Sequence, residues 1–117
     1  MIGYEQKLAR VLDRMGGIYI LRDILERLED GRMQAFVRGN SMLVTQINCF
    51  PRAKALDVVV AIGDLDDCRE LHDEALAFAD KENISLIRAY GRRGWMPDAR
   101  DHGWRLVTVN QVYMKEL

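Results

Sequence analysis

Residues 55–81 read ALDVVVAIGDLDDCRELHDEALAFADK, and their pattern decides the fold. Leu56-Asp57-Val58-Val59-Val60-Ala61-Ile62 is short, rich in β-branched side chains and ended by Gly63, which marks a central strand. Asp64 stands where a helix N-cap belongs, with Asp67 three residues on as an approximate capping box. The helix that follows, from Leu65 to about Lys81, gathers Cys68, Leu71, Ala75, Phe78 and Ala79 on one face. Arg69, Glu70, Asp73, Glu74 and Asp80 fall on the other. A strand that runs into a helix N-terminus is a frequent seat for a phosphorylated cofactor, because unpaired N–H groups and the helix dipole both favour an anion there. What this turn holds is the functional question.

Upstream, Tyr4, Leu8, Val11, Leu12 and Met15 recur at helical spacing until Gly16-Gly17 breaks the pattern. Ile20, Leu21, Ile24, Leu25 and Leu28 repeat it, stopped by Glu29-Asp30-Gly31. Met33–Val37 alternates as a half-buried strand, Arg38–Ser41 makes a tight turn, and Met42–Phe50 forms the next strand. Pro51–Lys54 then leads to the central strand. Three strands joined by short turns predict an antiparallel meander. Downstream, Ile84–Tyr90 follows a helical crossover, so it should lie parallel to Ala55–Ile62. A turn over Gly91–Trp95, a short helix near Pro97–His102 stopped by Gly103, and a strand over Arg105–Met114 follow. The order α-α-β-β-β-α-β-α-β predicts an α/β (α+β) fold with a mixed sheet and helices on its faces. Val58, Val60, Leu71, Phe78, Leu86 and Val107 are the expected core between helix and sheet.

A chain of 117 residues is sized for one domain, with residues 1–29 as N-terminal helices and 30–117 as the sheet and later helices. A net charge of −1 gives no global drive toward nucleic acid or an anionic membrane. Cys49 and Cys68 have neither zinc spacing nor a CxxC pattern, and both lie in apolar elements, so they read as buried reduced thiols. No apolar run approaches the ~18 residues of a membrane span, and no signal-peptide pattern opens the chain, which predicts a setting in the cytosol or wherever a partner carries it. His72, flanked by Asp73 and Glu74, reads as part of a solvated helix face rather than a metal site. Ser41 and Ser85 lack the context of a hydrolytic nucleophile.

Charge is unevenly spread. Residues 63–82 carry eight acidic and two basic side chains, net −6, whereas residues 86–105 are net +3. In the basic segment Arg92, Arg93 and Arg100 are interleaved with Tyr90, Trp95 and Trp104, a composition favoured at protein interfaces. Arg92, Arg93, Trp95 and Arg100 are therefore the interface candidates. Five arginines in a near-neutral domain argue only weakly for phosphate or nucleic acid.

Taken together, the meander, the central strand with its helix, and the ending resemble a GNAT-type N-acetyltransferase fold. Gly91-Arg92-Arg93-Gly94-Trp95, Ala99–Trp104 and Val112–Leu117 carry the likeness at the end of the chain. More narrowly, Val44–Ile47, Phe50-Pro51-Arg52, Gly63–Leu65 and the GRxGW element resemble small GNAT-like proteins of tailed bacteriophages, over about residues 30–117.

Two departures set this chain apart from the family's enzymes. Those enzymes hold the coenzyme A diphosphate on an Arg/Gln-x-x-Gly-x-Gly/Ala loop after the central strand. Here Gly63, Asp64, Asp66 and Asp67 stand at that position, with one glycine and three carboxylates. One glycine makes a poor nest of N–H donors. Like charges ~5 Å apart cost on the order of 3 kcal/mol at an effective dielectric of about 20, before screening. The helix dipole offers only ~0.3–1 kcal/mol against that. The tyrosine that acts as general acid in many members, four residues before the Gly-aromatic pair, is Ala99 here.

The resemblance with these departures implies a catalytically degenerate, non-enzymatic GNAT-like protein with no catalytic residues, no metal and no cofactor. It implies a virion component or assembly factor near the portal or head-to-tail connector, located in the virion or the host bacterial cytoplasm. Its partners would be other virion or assembly proteins, with a homo-oligomer or multi-copy ring expected. The alternative is an acetyl-CoA-dependent N-acetyltransferase with a divergent cofactor loop.

Overall fold

The structure, a computed structural model, describes residues 2–89 together with Gly103, Arg105 and Lys115. Its elements are α1 (Ile2–Arg14), α2 (Leu21–Glu29), β1 (Met33–Arg38), β2 (Ser41–Cys49), β3 (Lys54–Ile62), α3 (Leu65–Lys81) and β4 (Leu86–Ala89). The expected order holds from α1 to β4. The later helix and strand, and with them Arg92, Arg93, Trp95 and Arg100, lie outside the described residues.

The strands form one sheet in the order β1-β2-β3-β4. β1, β2 and β3 are an antiparallel meander, and β4 joins β3 in parallel after the α3 crossover. β1 and β2 are linked by Gly39-Asn40, of which Gly39 alone has a positive φ, +57°. A glycine at the first of two turn residues suits the twist of a hairpin. α3 stops where Asn83 turns left-handed at φ 58° and the Ile84 N–H donates to the Ala79 carbonyl at 2.8 Å, closing the end of the helix.

Alternation along the strands splits the apolar residues between two faces. Met33, Met42, Val44, Val60 and Ile62 pack with Leu8, Leu12 and Ile24 of α1 and α2. Leu43 and Leu56, on the opposite face, pack with Leu71, Ala75 and Ala79 of α3, and Ile84 closes that layer. α3 presents the face expected from its spacing: Leu71, Ala75 and Ala79 are buried, Cys68 and Phe78 half-buried. Phe78 meets Phe36 of β1 edge to face, with ring centroids 5.9 Å apart.

The expected burial of Cys49, Cys68, Leu86, Val58 and Phe78 needs correcting, Cys68 being half-buried. Cys49 is exposed at the last position of β2. Leu86 is 47% exposed. The parallel register pairs it with Ala55 and puts it on the same face as Arg88, while Ile87 turns toward α3. Val58 is half-buried, as is Phe78; Val107 lies outside the described residues.

Candidate functional site

The turn from β3 into α3 brings residues from three elements together. Met42 pairs with Ile62, so Ser41 lies against Gly63. Gly63 has φ +115°, and a Cβ there would stand 1.9 Å from Ser41 Oγ and 2.4 Å from its Cβ. Both the backbone angle and the space therefore require glycine. Asp64 caps the helix: its Oδ1 accepts the Asp67 N–H at 2.9 Å, and its carbonyl accepts the Cys68 N–H at 3.0 Å. That backbone N–H holds the Asp64 carboxyl below the usual aspartate range.

Asp67 is fastened in turn. Its Oδ2 accepts the hydroxyl of Ser41 at 3.0 Å, and Ser41 is 1% exposed. Arg38 at the end of β1 ion-pairs with Glu70, and its Nε is 3.9 Å from Asp67 Oδ1. Asp66 carries a salt bridge from Arg69 at 3.3 Å. Burial pushes the Cys68 thiol up, and the charges of Asp64 and Asp67 push it further, so it is no ready thiolate at neutral pH. The three carboxylates and the glycine read from the sequence thus do come together. The Ser41 hydroxyl and the Arg38 side chain reach Asp67 from 26 or more residues away in the chain, which no local pattern reveals.

β3 has an irregularity just before this turn. Val44 pairs with Val60 and Thr45 with Val58, leaving Val59 as an extra residue, a β-bulge. β4 pairs with Ala55–Val58. Among the described residues, Val60–Ile62 are paired on the β2 side alone. Bulges bend a strand and re-aim its groups, and they are frequent beside active sites.

A second polar cluster lies at the other end of β3. Asp57, 7% exposed, accepts Arg88 Nε at 2.7 Å, Arg88 Nη2 at 2.6 Å and Asn48 Nδ2 at 2.6 Å. The Arg88 guanidinium also lies over the Phe50 ring, 4.5 Å from its centroid. Arg88 holds the Asp57 carboxyl below the usual range, against the opposing effect of burial, and Asn48 adds to the lowering. A carboxylate so stabilised is a weak base, and its evident work is to fix Arg88. Sequence reasoning passed over Asp57, although one carboxylate inside the apolar run Leu56–Ile62 was the available signal. His72 is half-buried on α3, and among the described residues no cluster of His, Cys, Asp or Glu is placed to hold a metal ion.

No protein-family model matches the chain, and no curated protein does. Solved structures do. An acetyltransferase of Trypanosoma brucei superposes with a TM-score of 0.63 at 12% identity, over 96% of this chain and 94% of that one. A protein described as a predicted acetyltransferase of Clostridium acetobutylicum, solved with acetyl-CoA, gives 0.62 at 12% identity, over 81% of this chain and 71% of that one. A probable acetyltransferase gives 0.60 at 9% identity, over 100% and 94%. At such identities the likeness establishes the fold: α1 through β4 form the framework of a GNAT-like acetyltransferase fold.

Acetyl-CoA carries a diphosphate, and the start of α3 does not fit one. The Asp67 N–H is already given to Asp64, and the Asp64, Asp66 and Asp67 carboxylates surround the first turn. The neighbouring Arg38 is engaged by Glu70 and Asp67, and Arg69 by Asp66.

Proposed function

We propose that this chain is a binding domain on the acetyltransferase fold that works through protein contacts rather than acetyl transfer. The observation that carries the reading is the Asp64 carboxylate bonded to the Asp67 N–H, with two further aspartates on the same turn. An anion is favoured at a helix N-terminus, and here the chain supplies its own. The finer form of the proposal is a virion component or assembly factor of a tailed phage, working beside the portal or connector. It rests on the sequence resemblance alone, as does the assignment of Arg92, Arg93, Trp95 and Arg100 to the interface. No helix among the described residues is long and apolar enough to cross a membrane.

A second reading has support of its own: an acetyl-CoA-dependent N-acetyltransferase with a divergent cofactor loop. The comparisons favour it over a virion role, since the matched proteins named above are described as acetyltransferases and one was solved with acetyl-CoA. Among the described residues, the Val59 bulge and the pairing of Val60–Ile62 on the β2 side alone accord with it, since bulges are frequent beside active sites. A thiol-release assay with acetyl-CoA and a panel of primary amines separates the two. The binding-domain reading expects no release above the uncatalysed rate; turnover that scales with protein concentration establishes the enzyme instead.

A further inference from the structure

We infer that Asp64 and Asp67 stand in the place a coenzyme A diphosphate would need, and that Ser41 fastens the closure. This rests on the binding-domain reading and deepens it, by saying what shuts the site and what would open it. The turn has the framework of an anion seat: a strand, a glycine at φ +115°, and a helix of 17 residues starting directly after it. A donor that such a seat offers, the Asp67 N–H, is engaged from within. Asp64 Oδ1 takes the Asp67 N–H at 2.9 Å. Asp67 is kept over the turn by the buried Ser41 hydroxyl at 3.0 Å. Ser41 in turn fills the space beside Gly63, so a larger residue at either position cannot be accommodated without moving β2 from the turn. Asp66, whose side chain is 92% exposed, adds a third negative charge at the mouth. Arg38 does not offset these charges for a ligand, because Glu70 and Asp67 share it.

The probe is inorganic pyrophosphate, titrated into the ¹⁵N-labelled full chain while the amides of residues 63–68 are followed by NMR. The wild type should show no saturable shift at these amides. Asp66→Asn with Asp67→Asn removes two charges and leaves an oxygen to accept the Ser41 hydroxyl. That variant should bind at least about tenfold more tightly than the wild type, and the gain should shrink with added salt. If the double variant loses its dispersed spectrum, Asp66→Asn alone carries the test, with a smaller gain in the same direction. Saturable binding by the wild type at residues 63–68 overturns the inference. So does a folded variant that binds no better, since the charges would then not be what excludes the anion. Acetyl-CoA binding that leaves these amides unmoved supports the inference while overturning the binding-domain reading.

Discussion

Replacing Asp57 by Asn removes one charge from the interior with almost no change of shape. The carboxylate takes two hydrogen bonds from Arg88 and one from Asn48, all at 2.6–2.7 Å. Breaking a fully buried ion pair costs about 3–5 kcal/mol. Here the Asp57 side chain is 10% exposed but the Arg88 side chain is 43% exposed, so water screens one partner and the expected loss falls to roughly 2–3 kcal/mol. With a urea slope of about 2 kcal/mol per M, the unfolding midpoint at pH 7 should drop by roughly 1–1.5 M with the slope unchanged. The pH dependence has a definite sign. The folded-state pKa of Asp57 is depressed below its unfolded value of about 3.9, so the pair's contribution is fully present above that value. It is lost as the pH falls through the folded pKa. The gap between wild type and Asp57→Asn should therefore be widest near neutrality and narrow below about pH 4. A double-mutant cycle with Arg88→Gln isolates the coupling. A loss under ~0.5 kcal/mol at pH 7, or a gap that does not narrow on acidification, would refute the reasoning.

Gly63→Ala puts a methyl 1.9 Å from Ser41 Oγ at φ +115°, so it should cost about 3 kcal/mol or more in denaturant melts, and pairing it with Ser41→Gly should recover part of that loss. Leu71→Ala, at a site with 0% exposure between α3 and the sheet, should cost about 2–5 kcal/mol, whereas Leu76→Ala on the outer side of the same helix, at 41% exposure, should cost under ~1 kcal/mol; equal losses would mean that α3 is rotated from the face described.

The framework was legible because the patterns that encode it are local. β3 and α3 share one continuous stretch, and the period changes from that of a strand to that of a helix at Gly63. The Asp64 cap was readable because its partner Asp67 is only three residues away. What the sequence hid depends on register. Ser41 meets Asp67 across 26 positions, and Asp57 meets Arg88 across 31, each through strand pairings that no single window contains. The Val59 bulge was equally hidden, since an extra valine in a valine run leaves the composition unchanged. Leu86 misled because an apolar residue at the head of a short strand looks like core until its partner strand assigns the face. Cys49 misled in the same way, through its place at the very end of a strand.

The central claim is that an acetyltransferase framework here carries a strand-to-helix turn closed to coenzyme A. Isothermal titration calorimetry of the full chain with acetyl-CoA tests it most directly. The account predicts no saturable heat, hence a dissociation constant weaker than about 100 μM. A stoichiometric one-to-one complex tighter than that, with the amides of residues 63–68 shifting on binding, would contradict it and make the chain an acetyl-CoA-binding protein.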